Sequence, residues 1–504
     1  MVPRGRVPPC RAEIWVLRAL RRPIAAAILA LTLTAVPMVA ALPALAATEP
    51  AVTWSACPED EQVQCGVMRV PADWKDPEGP SIELQMARRK ATDPAHRIGV
   101  LIVNPGGPGG SAVNLALEAD FFTSELRKRF DIIGLDPRGV GRSAPVLCEQ
   151  ALIDAKPSPL VTTEAGFRAL ADYNGKLFTD CTARSGPVVS HADTASVVRD
   201  VEALRVALAE PRISIFGASY GSLIGELYAD LYPGTSRALV LDSVMDHSVD
   251  VDGFLAQETA SVQDSFDEFV KWCARDTRCV LRGQDIPGLW AALMRRAAAG
   301  TLVDPYDPPE KLGVWELISA SFSAFYDPQW FSFAHYLRDA AKPTAAARQA
   351  VPPIDIAPNS FPAVVCGDWS LPVADFTTYR KKLDALLQIA PQVRASSLAV
   401  SAVAGCIGWP APPGNPQRRL SPAKVPMLLV NALHDPATGH TWAQQVADQL
   451  GPSARLLTYQ GWGHVAYSHS PCVQAAVERY LVDLALPPTG TTCAAVEPQP
   501  FGIG

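Results

Sequence analysis

Residues 217–221 read GASYG, a serine with glycines two places before and two places after it. A serine hydroxyl is a weak nucleophile near neutral pH. It needs an adjacent base, and the base needs a carboxylate to hold its useful tautomer. G-x-S-x-G spacing meets the first demand of that chemistry, because the glycines allow a sharp turn that lifts the hydroxyl clear of the chain. The pattern also arises by chance, and a surface serine in an ordinary loop is the competing reading. The place of this copy favours the nucleophile: Ser219 lies between the strand-like ISIF and the helical run SYGSLIGELYADLYP.

In a chain built this way the acid and the base follow the nucleophile, each on a loop after a strand. Asp435 follows VPMLLVNALH and His464 follows ARLLTYQGWG, so both are expected at the C-terminal ends of strands. His434 and His440 flank the acid, too close in sequence to face it across a site, and read as shaping that loop. His469 is the rival base, five residues beyond His464. Asp448 is the rival acid, on the solvated face of a predicted helix.

A second stretch bears on the same chemistry. NPGGPGGSA, residues 104–112, follows the apolar run GVLIVN and is nearly bare backbone. Such a loop can cradle a phosphate or present N–H groups to an anion formed in a reaction. A phosphate loop of the Walker type closes on Gly-Lys-Ser/Thr, and this loop has no lysine. The oxyanion reading remains, with the N–H groups of Tyr220 and Gly107 as donors; Pro108 has none to offer.

Elements that could position these residues are legible in the hydrophobic pattern. SIELQMARR alternates, while GVLIVN and FDIIGL are the continuous apolar runs of buried strands. TASVVRDVEALRVAL places Val197, Val201, Leu204 and Leu208 on one helical face, ISIFG and the elbow helix follow, and RALVLDSV is a strand again. Alternation of this kind predicts an α/β fold with a mostly parallel sheet flanked by helices. It stops at Met245. The 180 residues from 245 to 424 far exceed one crossover and contain amphipathic segments such as GFLAQETASVQDSFDEFVKWCARD and GVWELISASFSAFYD. The expected organisation is an export signal over 1–46, a core over 47–244, a mainly helical cap inserted at 245–424, and the rest of the core with a tail over 425–504.

The 504-residue chain carries a formal net charge of −7 and has no basic run outside the leader, which argues against a nucleic-acid partner. Six arginines between positions 4 and 22 precede an uncharged apolar stretch that ends in ALA at 44–46. This predicts export with cleavage near Ala46, leaving no membrane span; an uncleaved anchor is the alternative. Cys10 lies in that leader. The other ten cysteines fall into neighbouring pairs, Cys57/Cys65, Cys148/Cys181, Cys273/Cys279, Cys366/Cys406 and Cys472/Cys493, and in an exported chain they are expected to be disulfides. No C-x-x-C and no Cys–His cluster of ligand spacing occurs, so neither a metal nor an organic cofactor is implied.

Taken together, NPGGPGGSA, DIIGLDPRGVGRS, FGASYGSLIGELYADLYP, PAVVCGDWS, ALHDPATGH and GWGHVAYSHSPCV resemble the secreted tripeptidyl aminopeptidase family of bacterial α/β-hydrolases, cousins of proline iminopeptidase. The resemblance implies an α/β-hydrolase fold and a serine exopeptidase that releases short peptides or residues from free N-termini. By position it implies Ser219, Asp435 and His464 as the triad. Two residues depart from the family pattern: His440 stands where a proline is usual, and Glu226 where a small residue is usual. Reading a free α-ammonium requires a carboxylate or carbonyl-lined pocket, and Asp368, Asp246 and Glu226 are the expected candidates. Their ordinary alternatives are a solvated Asp368, a helix-capping Asp246 and a Glu226 salt bridge. An esterase or amidase for small acyl groups would use the same triad, since fold does not decide substrate. A non-catalytic binding module of the same fold would have to keep a complete triad without using it.

Overall fold

A computed structural model describes residues 51–307, 309–342 and 355–500. The export signal expected over 1–46, and Cys10 with it, lies outside the described residues.

Twelve strands occur among them: β1 (Val52–Ala56), β2 (Val63–Pro71), β3 (Ser81–Arg89), β4 (Gly99–Asn104), β5 (Phe130–Leu135), β6 (Leu147–Glu149), β7 (Ile213–Ala218), β8 (Ser236–Asp242), β9 (Ile356–Pro358), β10 (Met427–His434), β11 (Ala454–Trp462) and β12 (Thr492–Cys493). Ten form one sheet in the order β1-β2-β3-β5-β4-β7-β8-β10-β11-β12. The first three strands pair antiparallel, as β3 does with β5; from β5 onward every pair is parallel. Helices cover both faces of parallel strands that are buried along their whole length, which is why β4, β5 and β7 read as unbroken apolar runs. This is the mostly parallel α/β sheet that the alternation predicts and the α/β-hydrolase fold that the family resemblance implies.

Between β8 and β10 the chain leaves the sheet. Helices Val251–Arg275, Ile286–Ala298, Val314–Tyr326 and Trp330–Ala340 bury Phe266, Phe269, Trp272, Trp290, Phe325 and Trp330 in a core of their own. The later helices Phe361–Asp368, Phe376–Ile389 and Ser397–Cys406 instead contribute Val364, Tyr379 and Val400 to the cluster that holds Ile102 and Ile215 of the sheet. The insertion is thus half self-supporting and half part of the main core.

An earlier excursion joins it. Strand β6 pairs with β9, and the helix Glu164–Ser185 sets Asn174 Nδ2 against the carbonyls of Ala404 and Ile407 at 2.8 and 2.7 Å. The helical cover is therefore drawn from two stretches of sequence, of which only the later interrupts the strand–helix rhythm visibly.

Five disulfides join Cys57–Cys65, Cys148–Cys181, Cys273–Cys279, Cys366–Cys406 and Cys472–Cys493, the neighbouring pairs. No helix among the described residues is long and apolar enough to cross a membrane.

Candidate active site

Ser219 sits between the end of β7 and the helix Tyr220–Leu231, with φ 57° and ψ −128°. A non-glycine residue is strained there, and the surroundings hold it in place. Its N–H donates to Asp242 O at 2.8 Å, and Ser222 N–H donates back to Ser219 O at 2.8 Å. The flanking glycine is required sterically: a Cβ on Gly217 would lie 2.1 Å from Gly221 O. The start of the helix adds partial positive charge beside the hydroxyl.

The acid and the base meet as the spacing predicts. His464 Nδ1 lies 2.9 Å from both Asp435 carboxylate oxygens, and both side chains are fully buried. Asp435 also accepts from the N–H groups of Ala437 and Thr438 at 2.9 and 3.0 Å, and from the hydroxyls of Thr438 and Ser243 at 3.0 and 2.8 Å. That many donors hold a buried carboxylate in one orientation. With Nδ1 committed to the acid, His464 Nε2 is buried and has no hydrogen-bond partner among the described residues.

Ser243 and Asp242 were not legible as site residues. Ser243, at φ 61° just after β8, gives its hydroxyl to Asp435 and accepts the N–H of Val465 at 2.7 Å, joining the acid loop to the histidine loop. Asp242 accepts from Ala466 and Tyr467 N–H at 3.0 and 2.7 Å and so fixes the segment after His464; burial pushes its carboxyl up to about 7. Both residues end a strand that was predicted, but nothing in sequence tells which strand-end polar groups cross to another loop.

The rival histidines have other partners. His469 Nε2 is 3.0 Å from the carbonyl of His464, and burial lowers its pKa. His434 Nδ1 pairs with Asp264 at 2.7 Å, and His440 Nε2 meets Thr458 Oγ1 at 2.8 Å. Asp448 is exposed on its helix.

The glycine loop packs under the elbow. A Cβ on Gly106 would lie 2.4 Å from Ala218 O and 2.9 Å from Tyr220 N, so only glycine admits this approach. Gly106 N–H donates to Asn104 Oδ1 at 2.9 Å and Gly110 N–H to Gly106 O at 3.0 Å. Among the described residues no acceptor takes the N–H of Gly107 or of Tyr220.

The three carboxylates expected to meet a substrate ammonium are all buried and all turned elsewhere. Asp368, far from being solvated, accepts from Thr194 N–H at 2.7 Å, Thr194 Oγ1 at 2.8 Å, Tyr220 Oη at 2.7 Å and Asn415 Nδ2 at 3.0 Å. Burial, reinforced by Asp193, pushes its carboxyl up to about 7. Asp246 accepts from Ser248 N–H at 2.8 Å and Gln449 Nε2 at 3.1 Å. Glu226 forms no salt bridge: neither of its oxygens has a partner among the described residues, and burial, reinforced by Asp246, raises its carboxyl well above the usual carboxylate range.

A cavity of about 540 Å³ opens beside the nucleophile, lined by Pro105, Leu115, Phe121, Ala218, Tyr326, Asp327, His464, Val465, Ser468 and His469. Its one carboxylate is Asp327, which caps the insertion helix Val314–Tyr326. Tyr326, from the same helix, lays its ring 4.4 Å from that of His464 and accepts His464 N–H on its carbonyl at 2.7 Å. FYD in an amphipathic helix gives no sign of this, because the contact depends on how the insertion folds back.

A family model described as TAP-like protein matches residues 391–493, the stretch that carries Asp435 and His464. The chain is 31% identical to carboxylesterase B of Mycobacterium tuberculosis, covering 94% of this chain and 99% of the relative. It is 28% identical to serine protease Hip1 of the same species, covering 88% and 91%, and 29% identical to the tripeptidyl aminopeptidase of Streptomyces lividans, covering 90% and 89%.

Proposed function

Since the chain belongs to the TAP-like family of α/β-hydrolases, we propose that it is an exported serine aminopeptidase working through Ser219, His464 and Asp435. The chemistry rests on one observation: His464, held by Asp435 at 2.9 Å with Nε2 uncommitted, lines the same cavity as Ala218, the residue just before Ser219 at the elbow. Ser219 Oγ attacks the acyl carbon while its proton passes to His464 Nε2. Asp435 stabilises the imidazolium and keeps Nδ1 as the donor. The N–H groups of Tyr220 and Gly107 take the charge that develops on the carbonyl oxygen, and stabilisation of that kind usually contributes more to the rate than any other single effect. The imidazolium returns its proton to the leaving amine, and water hydrolyses the acyl-enzyme by the same path.

The aminopeptidase reading is supported by the family resemblance and by a carboxylate in the cavity. Asp327, and none of Asp368, Asp246 and Glu226, lines that space and is the group positioned to meet an α-ammonium. The insertion over 245–424 is read as the cap that selects substrate. Five disulfides fit an oxidising compartment, and the leader fits export.

An esterase is the second reading, favoured by the relative named carboxylesterase B. A matched set of tripeptidyl p-nitroanilides, their N-acetyl forms and p-nitrophenyl esters separates the two. The aminopeptidase should lose at least ~10²-fold in kcat/KM on acetylation, the scale of a lost charge-assisted hydrogen bond. Equal cleavage of acetylated and free peptides, or ester cleavage alone, removes the aminopeptidase reading and leaves the serine hydrolase.

A further inference from the structure

A second cavity, of about 410 Å³, forms where the two stretches of helical cover meet: Lys156 and Tyr173 reach it from the earlier one, and Trp315, Ser319, Phe322 and Phe361 from the insertion. Two features tie it to the candidate active site. Trp315, Ser319 and Phe322 share one face of the helix Val314–Tyr326 by their spacing, and Tyr326 continues that face. The helix thus runs from this cavity to the one lined by His464, and the rings of Phe322 and Tyr326 meet at 5.7 Å between centroids. The second tie is Ser360, which stands between the lining residues Asn359 and Phe361 and packs against the glycine loop: a Cβ on Gly109 would lie 2.9 Å from its Oγ.

The lining is aromatic, yet it keeps polar groups in reserve. Among the described residues no hydrogen-bond partner takes the side chains of Lys156, Tyr173, Ser319, Asn359, Ser397 or Ser401. Folded proteins satisfy most such groups internally, and several left open around one apolar space are the mark of a ligand pocket. Charge selects the ligand. Lys156 is the one charged residue of the lining. It keeps solvent access, its neighbours lower its ammonium pKa by desolvation, and no carboxylate acts on it. Asp154, whose charge reaches the Tyr173 phenol, accepts from Gln150 Nε2 at 2.6 Å and does not line the cavity.

We propose that this cavity is the leaving-side subsite of the active site and that Lys156 binds the C-terminal carboxylate of a short peptide substrate. This rests on the serine-hydrolase reading of Ser219 and on Asp327 as the partner of the α-ammonium. The ammonium end of a substrate goes to the cavity that holds a carboxylate. The cavity with a cation and no carboxylate takes the other end. From Tyr326 back to Ser319 the helix axis covers about 10 Å at ~1.5 Å per residue. Extended peptide covers that span in about three residues. A carboxylate a few residues beyond the scissile bond therefore reaches Lys156, with an apolar or aromatic side chain against Trp315 and Phe322. Asp327 at one end and Lys156 at the other would select oligopeptides with two free termini over long chains.

The test is protection of Ser219 from a fluorophosphonate by the dipeptide alanyl-phenylalanine and by its C-terminal amide, on the full mature chain, with Tm measured alongside. Each labelling rate is taken relative to the same protein without peptide. The free acid should protect wild type at a concentration about tenfold or more below that of the amide, the scale of one charge-assisted hydrogen bond. K156M should lose the difference at an unchanged Tm, and K156R should recover most of it. Equal protection by acid and amide in wild type, protection by neither, or an acid preference that survives in K156M overturns the proposal while Ser219 stands as nucleophile. Wild-type protein that takes no label, or S219A that labels at the wild-type rate, would instead remove the serine-hydrolase reading beneath it.

Discussion

The phenol of Tyr220 donates a 2.7 Å hydrogen bond to Asp368, joining the residue after the nucleophile to a helix of the insertion. Thr194, at the start of the helix Thr194–Ala207, bonds to both partners and completes a buried polar knot. The Tyr220 side chain thus ties the elbow helix to the insertion, while its N–H is the oxyanion donor of the proposed mechanism. Y220F should leave Asp368 short of one donor and cost about 1–3 kcal/mol of stability, read as a lower Tm. Turnover should fall modestly with KM little changed, because the backbone donor shifts while the cavity does not.

S219A and H464A should each lower kcat by several orders of magnitude, with Tm near the wild-type value. D435N should cost about 10⁴-fold, because it disturbs the tautomer of His464 and removes the charge that stabilises the imidazolium. Steady-state kinetics on any cleaved ester or anilide checks all three, and full turnover by S219A excludes the mechanism.

D327N should raise KM for peptides with a free N-terminus about tenfold or more and leave ester hydrolysis unchanged, since the carboxylate lies in the cavity and away from the triad contacts. An identical loss on both substrate types would assign Asp327 to the chemistry, and no loss on either would leave the ammonium without its partner.

Glu226 gives a pH prediction. Its folded-state pKa is raised, so the folded chain holds this proton more tightly than the unfolded chain does. Its contribution to stability is then complete below the unfolded value of about 4.3 and declines as pH rises. E226Q removes that decline. Melting curves of the two proteins should nearly coincide at pH 4, and E226Q should become progressively the more stable toward pH 8. Parallel curves would show that Glu226 is ionised and paired in solution.

Denatured, unreduced mature protein should titrate with no free thiol, given five disulfides. Removing Cys366–Cys406, 40 residues apart, should cost about 4 kcal/mol on loop-closure entropy. Removing Cys273–Cys279, only 6 apart, should cost about 2 kcal/mol. Thermal unfolding of the two double-serine variants tests the order.

The fold and the meeting of Asp435 with His464 were legible because both depend on local patterns. Buried parallel strands must be apolar along their length, so β4, β5, β7 and β10 announce themselves, and the elbow needs glycine beside Ser219. Asp435 and His464 could be named because each follows such a strand directly. The nearest cysteines pair because disulfides join chain that is already close. What only the tertiary structure decided lies where distant segments meet. Asp368, Asp246 and Glu226 have the right charge for binding an ammonium, but burial and their neighbours turn them away from the cavity. Asp327 and Tyr326 carry no sequence signal, because their place beside His464 depends on how the helices between β8 and β10 fold back over the sheet. Periodicity reports which face of an element is buried; it does not report what that face is buried against.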